Sequence, residues 1–323
     1  MSGSKSPRWI WHNGEFVAWH RATLHVSSHV VHYGSSVFEG IRCYATPDGP
    51  AVFRLSEHIR RLTDSARIYH MTTALDAADL ATACRRLVHR NRLESCYIRP
   101  ILLRGTGALG VDPSHCAVEA FILCWPWGAY LGAGALQDGV DACVSSWQRS
   151  APNTLPALAK AGGNYLGSQL IKLEAQRNGY AEGIALGPGG LVSEGSGQNV
   201  FLVRDGVLIT PAVDGTLLPG ITRDCILTIA QDLGITVREQ PVPRELLYVA
   251  DEVFFTGTAA EVTPVRSIDR TVIGDGSVGP LTRALQERLL AIAGGQHTDV
   301  HEWLTPVRPR RRVADDSSAG RAA

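Results

Sequence analysis

Residues 126–139 are where the periodicity of this chain fails. The run Trp127-Gly128-Ala129-Tyr130-Leu131-Gly132-Ala133-Gly134 has neither the apolar spacing of a helix nor the alternation of a strand, and its glycines suit a connection better than an element. It lies well inside a chain of 323 residues, a length too great for one ordinary domain and about right for two. The expectation is a smaller N-terminal α/β domain over 1–125, an interdomain loop over 126–139, a larger C-terminal domain over 140–305 and a disordered tail over 306–323. That tail carries Arg308, Arg310, Arg311 and Arg312 among Ser, Asp and Ala, and such a cluster is more often solvated than bound to a polyanion.

Both sides of the connection read as mixed strands and helices. Asn13-Gly14 between two apolar runs, 9–11 and 15–19, is a hairpin signal. A short strand is expected over 52–55, amphipathic helices over 57–68 and 76–91, and apolar strands over 96–104 and 117–125. After the connection come a strand at 140–146, a helix at 165–178, and strands at 183–186, 200–203 and 207–209. A helix at 222–233, a strand at 252–256 and a last helix at 281–292 complete the pattern.

Composition narrows the possible functions. Lys plus Arg and Asp plus Glu each total 31, so the net charge is zero and nothing draws the chain electrostatically to nucleic acid or to an anionic membrane. With 45% hydrophobic residues, a sizeable core and small-molecule chemistry are the better expectation. The seven cysteines, at 43, 84, 96, 116, 124, 143 and 225, form no CxxC pair and suit buried reduced thiols. Residues 1–7 are short and polar, unlike a signal peptide, and no run reaches membrane-spanning length; the expected location is the cytoplasm.

Four local patterns carry possible chemistry. Lys160, in Leu158-Ala159-Lys160-Ala161-Gly162-Gly163, sits among small residues where burial disfavours the ammonium, and a neutral amine can condense with an aldehyde cofactor; an ordinary solvated lysine is the commoner role. Glu194, in Val192-Ser193-Glu194-Gly195-Ser196-Gly197, leads a turn out of an apolar strand and can pair with a pyridinium nitrogen, although a plain surface turn reads the same. Thr222 and its neighbours in Leu218-Pro219-Gly220-Ile221-Thr222-Arg223 open a helix whose free N–H groups can hold phosphate or simply be capped. The segment Phe255-Thr256-Gly257-Thr258-Ala259-Ala260 can cradle an anion, or can be a strand-to-helix turn of small residues.

In this order the patterns resemble the class IV aminotransferase signature: Glu194-x-Ser196-x-x-Asn199-Val200-Phe201, then Ile209-Thr210, then Leu218 to Arg223, with Lys160 at the expected interval before them. Longer blocks at 32–42, 97–100, 121–129, 151–154 and 257–265 are similar to bacterial branched-chain aminotransferases, and the resemblance covers about 9–303. It implies an α/β (α+β) enzyme of fold type IV, two mixed α/β domains with pyridoxal 5'-phosphate (PLP) at their interface, assembled as a dimer or hexamer with the site near a subunit boundary. Lys160 would condense with the cofactor and shuttle the substrate proton. Glu194 would bind the pyridine nitrogen and Tyr165 the ring hydroxyl. Arg61, picked from its neighbour Arg60 by the His-x-x-Arg-Leu spacing, would grip the phosphate with Ile221, Thr222 and Thr258.

The same resemblance implies a pocket for both branched-chain amino acids and glutamate. Phe38, Val111, Trp127 and Tyr130 would form its apolar walls, Arg99 with Tyr33 and Tyr97 would meet the glutamate side chain, and Thr258 and Ala259 would hold the α-carboxylate. Read by themselves, Phe38, Trp127 and Val111 suit a core, and Tyr33 with Arg99 a buried structural pair. His25, His29 and His32 lie in strand- or loop-like sequence without a suitable carboxylate, so structural roles suit them better than a metal. Two departures from the pattern, Gln198 for the usual Glu and Gly187 for the usual Asp, bear on substrate range and rate. The implied reaction moves the amino group of L-leucine, isoleucine or valine to 2-oxoglutarate. Rivals are a D-amino-acid aminotransferase, an aminodeoxychorismate lyase, a specialised biosynthetic aminotransferase, and a binding module that has kept the fold.

Overall fold

A computed structural model describes residues 7–308 except 129 and 133. Most of the polar N-terminus (1–6), two alanines of the connection and the bulk of the arginine-bearing tail (309–323) lie outside the described residues.

The first half is an antiparallel sheet covered by two helices. Strands β1 (Trp9–His12) and β2 (Glu15–Ala18) form the expected hairpin, and Asn13 and Gly14 both take positive φ, as a type I′ turn requires. A five-residue helix, α1 (His29–Tyr33), then precedes β3 (Ser36–Phe38), β4 (Ile41–Thr46) and β5 (Gly49–Phe53). Helices α2 (Leu55–Ile68) and α3 (Ala77–Asn91) follow, then β6 (Cys96–Arg104) and β7 (Val118–Trp125). The strand order is β5-β4-β6-β7-β1-β2, with β3 also paired to β6. Leu55, expected to end a strand, opens α2 instead, because Arg54 turns into the left-handed region and breaks the extended chain. The Asp76–Asp79 capping box starts α3, and Leu80, Ala83, Cys84, Leu87 and Val88 bury the face expected from their spacing against α2 and the sheet.

The connection contains one helical turn, α4 (Ala135–Asp138), before β8 (Val140–Val144). The second half contributes α5 (Tyr165–Arg177), β9 (Glu182–Leu186), β10 (Val192–Gly195), β11 (Asn199–Arg204), β12 (Val207–Thr210) and α6 (Ile221–Asp232). Then come β13 (Val237–Glu239), β14 (Glu252–Gly257), β15 (Glu261–Ile268), β16 (Thr271–Val272) and α7 (Pro280–Ala293). This mixed sheet has the order β10-β9-β8-β15-β14-β11-β12-β13, with β16 added to β15. Alternation along β11 and β14 sends Phe201, Val203 and Phe254 into a core with α6 and α7, and Val200, Leu202, Val253 and Phe255 into a second core on the other face.

Three local expectations need correction. Glu194 lies inside β10 rather than leading out of a strand, and Ser196 to Gln198 make the turn. The Gly257-Thr258-Ala259-Ala260 segment is the tip of the β14–β15 hairpin, closed by the Gly257–Glu261 pair, not a turn into a helix. The last strand, β17 (Leu304–Pro306), crosses from the expected second domain into the expected disordered tail; it pairs with β5 and returns the chain to the first sheet, where Val307 is also buried, so 306–307 are ordered. The chain boundary at 305 therefore does not separate the two sheets.

Candidate active site

Lys160 reaches its place because the segment before α5 is pinned to the first sheet. Its carbonyl accepts from Phe38 N at 3.0 Å, its own N–H donates to Ser65 Oγ at 3.0 Å, and Ala161 bridges to Val37. A Cβ on Gly162 would clash with Ser36 Oγ, so glycine permits this approach. The half-buried Lys160 side chain then extends to donate from Nζ to the Tyr165 hydroxyl at 2.6 Å, with the Phe38 ring 5.2 Å away.

Glu194 faces the same cavity from β10. It is buried; Arg149 approaches one carboxylate oxygen at 2.6 Å, and Leu218 N donates to the other at 3.2 Å. Burial pushes its carboxyl above the usual range, and Arg149 opposes that shift. A cationic ring nitrogen would be a further favourable partner for this carboxylate.

Arg61, on α2, projects to the other end of the cavity. Its Nε and Nη2 make a bidentate pair with Glu39 at 2.6 and 2.9 Å, and its Nη1 donates to Pro219 O at 2.9 Å. A guanidinium has five N–H donors, so this arrangement leaves capacity for an anion. Glu39 is fully buried, which alone would raise its pKa; Arg61 and His58 reverse this and hold it well below the usual carboxylate range. Nearby, α6 begins after Gly220, which offers no side chain to cap the first N–H groups, and Ile221, Thr222 and Thr258 border a small adjoining recess.

The cavity brings together Lys160, Tyr165, Glu194, Arg61 and Thr258. Phe38, Tyr97, Arg99, Trp127, Tyr130 and Ala259 complete the expected walls. Among the described residues six buried side-chain nitrogen or oxygen atoms lack a partner. Four of them, Arg99 Nε, Trp127 Nε1, Arg149 Nε and Thr256 Oγ1, belong to residues lining this cavity. Buried polar atoms are rarely left unpaired, so the grouping of four around one cavity singles out that cavity. An amine beside a phenol, a buried carboxylate at one end, and an arginine with a helix N-terminus at the other fit a phosphorylated pyridine aldehyde in charge and chemistry.

Tyr33 and Val111 do not line the cavity. Tyr33 is 45% exposed and donates to Leu109 O at 2.8 Å, and Val111 is 80% exposed. Of the three histidines, His29 and His32 belong to α1, which is too short for its periodicity to be read, and His29 Nδ1 lies 2.7 Å from Ser35 Oγ. Among the described residues no cluster of three metal-ligating side chains is present. The amide of Gln198 donates to buried Glu182 at 3.0 Å and accepts from Gly197 N at 3.1 Å, so a glutamate at 198 would face a second carboxylate there. Sequence reasoning passes over Arg149 and Glu39; each acts through a partner at least 22 residues away, and no local pattern signals that.

The chain resembles known proteins along most of its length. Residues 36–268 match the model of amino-transferase class IV. The branched-chain-amino-acid aminotransferase of Salmonella typhimurium is 52% identical over 305 residues, covering 94% of this chain and 99% of the relative. The structure of the Escherichia coli branched-chain amino acid aminotransferase superposes with a TM-score of 0.92 at 52% identity, covering 94% of this chain and all of that one. The T.th. branched-chain amino acid aminotransferase, complexed with N-(5'-phosphopyridoxyl)-L-glutamate, gives 0.89 at 44% identity, covering 94% and 99%. The chain belongs to the class IV aminotransferases.

Proposed function

We infer that this chain is a PLP-dependent branched-chain aminotransferase, transferring the amino group of L-leucine, isoleucine or valine to 2-oxoglutarate and releasing the branched 2-oxo acid and L-glutamate. The observation that carries this is the Lys160 amine on the Tyr165 hydroxyl, in a cavity bounded by Glu194 and Arg61, in a chain 52% identical to enzymes of that activity. Bound there, PLP supplies an aldehyde that takes up the amine and a ring that accepts electrons from Cα.

The protein groups divide the remaining work. Lys160 Nζ would take the Cα proton as general base and move it to the cofactor carbon that holds the amine, with Tyr165 fixing its direction. Glu194 meets the ring nitrogen, and Arg61, Ile221, Thr222 and Thr258 hold the phosphate. Phe38, Trp127 and Tyr130 exclude water and pack the branched side chain. Arg99, whose Nε has no hydrogen-bond partner among the described residues, meets the glutamate side chain together with Tyr97. The glutamate adduct bound to the T.th. enzyme supports a pocket that takes both substrates.

Tyr33 and Val111 are exposed away from the cavity; if they serve a pocket it is that of a second copy, and the chain is then a dimer or a larger assembly. The seven buried free thiols support the reducing environment of the cytoplasm. A half-reaction screen, read from the cofactor's absorbance, tests the reading: L-leucine reacts, whereas D-alanine and aminodeoxychorismate do not. Preferential reaction with either of the latter two contradicts it.

A further inference from the structure

The β14–β15 hairpin tip is built at a backbone cost. Its three loop residues, Thr258, Ala259 and Ala260, are closed by the Gly257–Glu261 pair, and the residue leaving such a loop commonly takes the left-handed conformation suited to glycine. Here that residue is Glu261, at φ 55°, a sparsely populated region for a residue with a side chain. Its side chain is not free to relax the strain. Glu261 is buried, and one carboxylate oxygen accepts from the Tyr44 hydroxyl at 2.8 Å and lies 3.1 Å from Arg42 Nη2. Arg42 and Tyr44 both belong to β4 of the opposite sheet, and the Arg42 guanidinium lies over the Tyr44 ring at 5.1 Å. Arg42, Tyr44 and Glu261 share with Thr258 the small recess behind the main cavity. One carboxylate thus ties the hairpin tip, whose Gly257, Thr258 and Ala259 line the main cavity, to the other sheet.

We propose that Glu261 is a positioning residue for carboxylate recognition: clamped by Arg42 and Tyr44, it holds the hairpin tip so that the Thr258 and Ala259 amides meet the substrate α-carboxylate. This rests on the reading that those two residues hold that carboxylate. A glycine at 261 would ease the backbone but release the clamp to Arg42 and Tyr44.

The test compares cofactor-loaded wild type, Glu261→Gln, Glu261→Gly and Tyr44→Phe in single-turnover half-reactions. The two amine donors are L-leucine and 3-methylbutylamine, which has the same side chain and no carboxylate. In wild type, L-leucine half-saturates at a much lower concentration than the amine. Loss of the charge-assisted clamp raises the leucine half-saturation about tenfold in both Glu261 variants, and less in Tyr44→Phe, with the limiting rate nearly unchanged. The amine's half-saturation stays put in every variant. If folded, cofactor-bearing variants keep the wild-type leucine value, or if leucine and the amine weaken together, the positioning role is wrong although the cradle stands. If wild type itself does not prefer leucine over the amine, the cradle reading fails and takes the proposal with it. Should the Glu261 variants not fold, Tyr44→Phe alone decides by the same comparison.

Discussion

Glu39 holds the Arg61 end of the site together without lining the cavity. Its carboxylate fixes Arg61 through two bonds and takes a third from His58 at 2.7 Å. Removing one partner of a buried ion pair leaves the other uncompensated, so Glu39→Gln should cost about 3–5 kcal/mol in denaturant unfolding and weaken cofactor retention. The depressed pKa of Glu39 gives a stabilisation present above its ordinary value of 4.5 and lost as pH falls below it. Burial, against the pull of Glu39, lowers the pKa of His58 from 6.5, which also favours the fold above that pH and withdraws support on acidification. The stability gap between wild type and Glu39→Gln should therefore narrow as pH drops below 4.5; a gap independent of pH there would contradict an ionised Glu39. At the end of the cavity lined by Phe38, Arg99 stacks on that ring at 4.7 Å, and its Nε has no hydrogen-bond partner among the described residues. Arg99→Ala should lower kcat/KM for glutamate by roughly a hundredfold, the worth of a charge-assisted bond, and that for leucine only a few-fold. Equal losses would remove the dual-pocket account.

Helix α3 is the element on which the first sheet depends most visibly. Leu87 is fully buried between α2 and the strands, so Leu87→Ala should cost about 2–5 kcal/mol of stability with KM unchanged in the folded fraction. A loss below about 1 kcal/mol would mean that the face is not packed as described. That face is readable in the sequence because α3 is amphipathic and capped; the first hairpin is readable from Asn13-Gly14. Other elements leave no such trace. Every residue of β10 is buried, polar ones included, so it has no alternation to detect. Strand β15 is buried except at Arg266 and contains Pro264, which argues against a strand in any sequence reading. At the site, Lys160, Glu194, Thr222 and Thr258 stand out because chemistry-bearing residues sit beside glycines or turns. Glu39, Arg149 and Glu261 matter through partners brought from elsewhere in the chain, and that requires the fold.

At the scale of the molecule, the cavity exists only because segments of both sheets meet. Lys160 hangs from the first sheet, Glu194 belongs to the second, and Arg61 on α2 touches Pro219 just before α6. Tyr33 and Val111 are exposed and lie outside the cavity, and the proposed reading assigns them to a second copy of the chain. Sedimentation of the active enzyme should give a species larger than the 34.8 kDa chain, and a fully active monomer would refute that. All of these levels serve one amine. The most direct test is the visible spectrum and leucine half-reaction of cofactor-loaded Lys160→Ala. The account predicts a folded protein that retains the cofactor, lacks the absorbance of a lysine-bound aldehyde and transfers no amino group at a measurable rate; wild-type absorbance with wild-type turnover would contradict it.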